Sequence, residues 1–165
     1  MGLQTIARRK LTAKGIKPIT PYQHKFDNFY LFGAFSPING ASLLLEMPFC
    51  NSSTFQIFLD ELSAYKPREF KILILDNGAF HHAKSLQTPE NIALIFLPPY
   101  SPELNPAERM WRFIKDRMAM TAFRSLEAMK MKLEAVVKTS VTKKLVKSVC
   151  NDDFYSSIFK TTFNV

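Results

Sequence analysis

Lys71-Ile72-Leu73-Ile74-Leu75-Asp76-Asn77-Gly78 is an apolar run closed by a carboxylate and a turn pair. Beyond it, Ile92-Ala93-Leu94-Ile95-Phe96-Leu97 is a second apolar run, ending in Pro98-Pro99-Tyr100-Ser101-Pro102. Asn105-Pro106-Ala107-Glu108-Arg109-Met110-Trp111 then opens an amphipathic stretch with a second carboxylate. Short continuous apolar runs bounded by turn residues read as strands buried on both faces. The first run is therefore expected to be a central strand, with Asp76 at its carboxyl end. Open α/β sheets bind their ligands at that end.

Working outward, Phe29-Tyr30-Leu31-Phe32-Gly33-Ala34-Phe35 is a further strand candidate. The Asn39-Gly40 pair turns the chain into a returning strand from Ala41 to Met47, giving an antiparallel hairpin. Asn51-Ser52-Ser53 offers N-caps for a helix from about Thr54 to Tyr65. In that helix Phe55, Phe58, Leu59 and Leu62 form one apolar stripe, and Lys66-Pro67 ends it. A crossing helix at this place permits parallel pairing of the 70–75 strand with what precedes it.

Further on, the patterns suggest a short helix over 81–86, a strand over 92–97 and a helix over 105–120. A long helix is expected from Leu126 to about Leu145. The tail 151–165, with Phe154, Tyr155, Ile158 and Phe159, is expected to dock as a last short helix. The sequence of elements implies an α/β fold with a sheet mixing antiparallel and parallel pairs. Residues 1–26 read as a basic arm or hairpin, 27–120 as the core, and 121–165 as a helical segment packed on the same domain.

At 165 residues with 47% apolar and 22% charged residues, the composition is that of a globular chain able to bury a core. The net charge is +8 and unevenly spread. The arm holds Arg8, Arg9, Lys10, Lys14, Lys17 and Lys25 with no acidic residue. Such clustering favours polyanions, because neutralised phosphates release counterions; a solvated basic face is the plain alternative. Cys50 and Cys150 stand 100 positions apart and read as free thiols in a reducing compartment. No apolar run reaches the roughly 20 residues of a membrane helix, and no signal peptide is evident. A cytoplasmic location follows as the expectation.

For chemistry, Asp76 and Glu108 are the best pair of carboxylates converging from separate elements. Hard divalent cations are commonly held by one or two carboxylates together with substrate phosphates. Two such ions can activate an attacking oxygen and stabilise a leaving one. Each residue also has an ordinary reading. Asp76-Asn77-Gly78 can be a plain turn, and Glu108 fits the N3 place of a capping box with Asn105 at N-cap and Pro106 at N1. His81 is close enough in sequence to orient Asp76, while His81 and His82, being adjacent, do not form a two-histidine site. On the helix, Arg112 and Lys115 share the Glu108 face, where they can pair with it or meet phosphates. Neither a nucleophilic triad nor a phosphate-cradling glycine loop is present, which speaks against a nucleotide-binding domain.

Leu75-Asp76-Asn77-Gly78-Ala79-Phe80-His81 and the block from Leu97-Pro98-Pro99-Tyr100-Ser101-Pro102 to Glu103-Leu104-Asn105-Pro106-Ala107-Glu108 resemble the second and third acidic blocks of DDE-type transposases. The similarity is to the bacterial insertion-sequence branch related to mariner transposases, and it covers about residues 1–120. Gly33-Ala34-Phe35-Ser36, Gly40 and the Leu59-Asp60-Glu61-Leu62 helix are similar to that family as well. The resemblance implies a ribonuclease H-like fold, two Mg²⁺ or Mn²⁺ ions, DNA strand cleavage by water and strand transfer by a DNA 3′-hydroxyl.

On that resemblance Asp76 and Glu108 are metal ligands, and Asn77, His81 and Asn105 support the site or position substrate. Arg8, Arg9, Lys10, Lys14, Lys17, Arg112 and Lys115 contact DNA. The family's first aspartate lies on a strand before the basic arm, and no residue here stands in the matching place. Asp27 and Glu46 are both wrongly placed to substitute. The expectation is a transposase fragment lacking most of the first strand, with little transposition by itself. Its partners would be DNA and either a second copy or full-length transposase, with no membrane and no small-molecule cofactor. It would be a bacterial, cytoplasmic, nucleoid-associated protein. The alternative is a non-catalytic DNA-binding or transposase-associating remnant that acts as an inhibitor.

Overall fold

The computed structural model describes residues 14, 28–78, 81, 83, 85–99, 101, 104–119 and 121–150. The expectations for the arm (Lys14 apart) and for the tail 151–165 therefore lie outside the described residues. Strands β1 (Tyr30–Phe35) and β2 (Ser42–Met47) form the antiparallel hairpin, with Tyr30 opposite Met47 and Phe35 opposite Ser42. The turn needs its glycine: Gly40 has φ +73 and its N–H donates to Ser36 O at 3.0 Å. Asn39 Oδ1 accepts from Ala41 N–H at 2.8 Å, the local bond that makes asparagine favourable there.

Helix α1 (Ser52–Ala64) starts at Asn51, whose side chain accepts from Thr54 N–H while the Thr54 side chain accepts from Asn51 N–H. This reciprocal pair satisfies two of the amides a helix start leaves open. Its stripe Phe55, Phe58, Leu59 and Leu62 is buried as the periodicity predicts. It packs against Phe32, Ala34, Leu43 and Leu45 of the hairpin and Leu73, Leu75, Ile92 and Leu94 of the second sheet. Strands β3 (Lys71–Leu75) and β4 (Ile92–Phe96) pair in parallel, Lys71 with Ile92 and Leu75 with Phe96.

Several expectations need correction. Among the described residues the strands make two separate two-stranded sheets, β1–β2 and β3–β4, so β3 pairs with β4 alone and is not a central strand. Nor are β3 and β4 buried on both faces. Their alternate residues meet α1, but Ile72 is 39% and Ile95 49% exposed on the opposite face. The apolar continuity of the runs does reflect a two-sided strand chemistry, yet no described element covers the second face. In the 81–86 stretch His81 stands in 3₁₀ geometry, its N–H donating to Gly78 O, while the described residues after it are non-helical, with Leu86 N–H donating to Ala83 O.

On the other side of β1 lie α2 (Pro106–Met118) and α3 (Leu126–Ser140), where Ile114, Met118, Met129, Leu133 and Val136 bury against Phe29. The single long helix expected over 126–145 is two helices, α3 and α4 (Lys143–Cys150). The chain leaves helical geometry at Val141 (φ −83, ψ 69), a β-branched residue of modest helix propensity. Thr142 then restarts the helix, its Oγ1 accepting from Leu145 N–H at 3.2 Å. The break lets Val146 and Cys150 reach Met110 of α2 and form a third buried cluster. Among the described residues no helix is long and apolar enough to cross a membrane.

Leu59 is fully buried under both sheets, so Leu59→Ala should lower unfolding free energy by roughly 2–5 kcal/mol, read in a urea titration. Gly40→Ala should also destabilise, by more than the about 1–2 kcal/mol of left-handed backbone strain. The excess arises because the new Cβ would stand 2.3 Å from the Lys143 carbonyl oxygen at the start of α4.

Candidate metal and nucleic-acid site

The end of β3 is fixed by a ladder that continues past the strands. Leu97 N–H donates to Leu75 O at 2.8 Å, and the Asn77 side-chain amide then donates to Leu97 O at 2.9 Å. Asn77 thus takes the place of the next backbone rung, which leaves Asp76 projecting at the strand end. Asp76 Oδ1 accepts from Gly78 N–H at 3.2 Å, the local turn bond that short acidic side chains favour. The same oxygen faces His81 Nε2 at 3.2 Å. The His81 ring is only 9% exposed and stands edge-on to Phe55, with centroids 4.4 Å apart. A buried, packed imidazole on one carboxylate oxygen holds the group in one orientation, and the Asp76 side chain nevertheless remains 69% exposed.

The loop after Asp76 is anchored on α1. Gln56 Nε2 donates to Gln87 O and Gln87 N–H donates to Gln56 Oε1, both at 2.8 Å. Asn91 exchanges bonds with Ser63, accepting from Ser63 Oγ at 2.7 Å and donating to Ser63 O at 3.0 Å. The later part of the 76–92 connection is therefore tied to α1, the helix whose Phe55 packs against His81.

Glu108 comes from the first turn of α2. Asn105 caps that helix by accepting from Ala107 N–H at 3.1 Å, with Pro106 at the next place. Among the described residues the Glu108 carboxylate has no recorded hydrogen bond, and it is exposed. The reciprocal capping pair that its position allows is found instead at α1. Pro106 accounts for part of the economy at α2, because it has no N–H to satisfy.

Asp76, Glu108, His81, Asn105 and Lys115 all line one cleft of about 350 Å³. Arg112, expected beside Lys115, is exposed but outside that lining. Lys14 is exposed too; Arg8, Arg9, Lys10 and Lys17 lie outside the described residues. Sequence reasoning missed Tyr30, Cys50 and Trp111 in the cleft wall. Gly33 carries the signal that could have found the tryptophan: a Cβ there would stand 2.7 Å from Trp111 Cη2, so only glycine lets α2 come this close.

Two carboxylates on a solvent-open cleft are hard oxygen donors suited to Mg²⁺ or Mn²⁺. Among the described residues no group of three or more histidine, cysteine or acidic side chains converges. A cation held here would complete its shell with water and ligand oxygens, as magnesium commonly does. Lys115 adds a positive charge to the same wall.

Cys50 reports on this electrostatic setting. Partial desolvation, and second the negative charge of Asp76, hold its thiol above the ordinary range. Burial pushes Cys150 further, up to about 11, against a smaller opposing effect of Arg109. Near neutral pH alkylation should therefore select Cys50. Asp76→Asn removes a charge that disfavours the thiolate, so Cys50 should react faster with iodoacetamide at the same pH, followed by mass spectrometry. An unchanged rate would mean that the Asp76 charge does not act on the Cys50 thiol.

Residues 1–130 match the family described as DDE superfamily endonuclease. An uncharacterized protein of Sinorhizobium fredii, y4pE/y4sA, is 41% identical over 88 residues, which is 53% of this chain and 65% of that protein. The Mos1 transposase, solved in a paired-end complex with a left transposon end, superposes with a TM-score of 0.65 at 17% identity. That superposition covers 91% of this chain and 48% of the Mos1 chain, so the chain spans only part of either relative. The likeness to Mos1 bears on the fold, which is α/β and ribonuclease H-like.

Proposed function

The chain belongs to the DDE superfamily endonucleases, and on that premise we propose that it carries part of a transposase centre for DNA strand cleavage and transfer. The observation that carries the reading is the convergence of Asp76 and Glu108 from separate elements on one open cleft. Both would hold Mg²⁺ or Mn²⁺, two ions in the complete site. Bound ions would supply a polarised attacking oxygen and charge stabilisation at the leaving oxygen.

The remaining work falls to side chains of this chain. His81 and the Gly78 amide fix one oxygen of Asp76, so the other would be the one available to a cation. Asn77 keeps the strand end from fraying away from β4. Asn105 supports the helix start from which Glu108 projects. Lys115 offsets phosphate charge in the cleft, and the basic arm, Arg8 to Lys17, together with Arg112, adds affinity for the DNA backbone. A net charge of +8 supports a nucleic-acid partner, as does the Mos1 relative, solved with a transposon end.

With two carboxylates converging among the described residues, the cation is held weakly and cleavage by this chain alone is slow. That same shortage favours a second reading. The chain would bind DNA, or join full-length transposase, and act as an inhibitor without cleaving. A bacterial, nucleoid-associated setting fits either role.

Mn²⁺ binding followed by electron paramagnetic resonance decides the metal assignment. Asp76→Ala and Glu108→Ala should each weaken it at least about tenfold, and His81→Ala should weaken it by about 10–100-fold through lost orientation of Asp76. Equal affinity in the wild type and both carboxylate variants would remove the metal site. Nicking of supercoiled plasmid should be slow, Mn²⁺-dependent and absent in Asp76→Ala. DNA binding should survive that substitution and fall steeply with salt, by a log–log slope of about −0.9 per phosphate neutralised. Binding without any nicking in the wild type would establish the inhibitor reading instead.

A further inference from the structure

Helices α2 to α4 carry most of the excess positive charge of the chain. Residues 106–150 hold eleven Lys or Arg against four acidic residues, a net +7 out of +8 overall. Which of those cations already have a partner decides between a solvated face and a contact surface. On α3, Lys138 pairs with Glu134 one turn away, and Lys130 pairs with Glu46 of β2. On α4 the situation differs. Lys143, Lys144 and Lys147 are all exposed, and no acidic residue lies between Val141 and Cys150. Among the described residues no ion pair of these three lysines is recorded.

Their placement follows from the face of α4 that is buried. Val146 and Cys150, one turn apart, are fully buried with Met110 of α2. At the start of the helix the Lys143 carbonyl abuts Gly40, where a Cβ would stand 2.3 Å from its oxygen. Thr142 caps the same end by accepting from Leu145 N–H. The helix is therefore held at both ends. At about 100° per residue, Lys143, Lys147 and Lys144 follow one another on a single flank within an arc of about 100°. Lys143 and Lys147 stand about 6 Å apart along the axis. Phosphates of one duplex strand are about 3.4 Å apart along theirs, so the flank spans about two of them.

This arrangement works against the helix that carries it. An eight-residue helix is too short to be stable by itself. Like charges at i and i+4, here Lys143 and Lys147, destabilise it further. Lys143 and Lys144 also occupy the first turn, where the helix dipole disfavours cations. No acidic residue in that turn offsets them. Packing on Met110 holds α4 in place in spite of these effects, and an external polyanion would relieve both.

The chemistry of the partner follows from what this flank lacks. A basic helix binds a membrane surface by sinking an exposed apolar face into it, but that face of α4 is buried on α2. A protein interface centres on desolvated aromatic or apolar anchors, and α4 exposes no large apolar side chain. Lysines alone suit a regular array of phosphates, contacted without regard to sequence. The flank is also separate from the metal cleft, because no residue of α4 lines that cleft. Around α2, Met110 stands about 160° from Glu108 and about 140° from Lys115. Met110 meets α4 while the other two line the cleft, so α4 and the cleft lie on opposite sides of α2.

We propose that Lys143, Lys144 and Lys147 form a second phosphate-contact surface for duplex DNA, on the side of α2 away from the metal cleft. The proposal rests on the reading of DNA as the partner given above. It adds to that reading a sequence-independent anchor that holds the duplex backbone at a distance from Asp76 and Glu108.

The test follows a short fluorescein-labelled duplex by anisotropy over a salt series, with the full chain and with EDTA to exclude the metal site. The variant K143Q/K144Q/K147Q is compared with K66Q/K132Q/K138Q, which removes the same charge elsewhere. Glutamine keeps the helix propensity of lysine, and thermal melting checks that both variants fold. The α4 variant should lower the log–log salt slope by about 2–3 and weaken binding at least about tenfold, alike for two unrelated sequences. The other variant should keep a slope close to that of the wild type. In the wild type, bound duplex should protect Lys143, Lys144 and Lys147 from acetylation, followed by mass spectrometry, and leave Lys138 reactive. Equal losses in the two variants, an unchanged slope in the α4 variant or unprotected α4 lysines would remove this surface while the DNA reading stands. No duplex binding by the wild type would overturn both. Binding to phosphatidylglycerol vesicles that the α4 variant loses while its duplex binding is intact would overturn the proposal in favour of a membrane.

Discussion

One short ladder positions the chemistry of this chain. Leu97 N–H reaches back to the Leu75 carbonyl, and the Asn77 side chain reaches forward to the Leu97 carbonyl. Together they extend the β3–β4 pairing beyond its last strand residues without extending the strands themselves. Backbone polar groups must find partners somewhere, and here a side chain supplies one at the point where the main chain turns away. Asp76, between the last strand residue and that asparagine, is consequently held at a strand end that does not fray.

The opposite wall of the cleft depends on a different constraint, the close approach of α2 to the hairpin. Gly33 lets the Trp111 ring lie against β1, and Phe35 meets the same ring edge-on at 5.3 Å. Met110 faces the other way, into the cluster with Val146 and Cys150, where the Cys150 thiol points at the Pro106 carbonyl at 3.7 Å. Helix α2 is thus clamped between β1 and α4, and its first turn can offer Glu108 to the cleft. The interruption at Val141 matters for the same reason: a continuous helix would carry Val146 away from Met110.

Much of this was legible in the chain. The hairpin could be read from Asn39-Gly40 because a left-handed turn has few chemical solutions. The α1 stripe was legible because 3.6-residue periodicity is a local property. Asp76 and Glu108 stood out through the acidic blocks around them, though position alone slightly favoured turn and capping roles. The burial of β3 and β4 could not be read correctly, because an apolar run does not say whether a neighbour is present to cover it. Ile72 and Ile95 are as apolar as Leu73 and Leu94, yet α1 covers only one face. The α3–α4 break was equally hidden, since Val141 and Thr142 are tolerated inside helices and only packing against α2 favours the turn.

The sequence by itself determined the local elements, the two carboxylates and the basic charge, because propensity, periodicity and composition act over a few residues. Tertiary structure alone decided that β1 and β3 face each other across a cleft without sharing a ladder. It also decided that α1 and α2 both contribute to the walls of that cleft and that Asp76 and Glu108, from separate elements, both line it. Those facts depend on which edges are paired and which helix faces are in contact. No short window of sequence contains them.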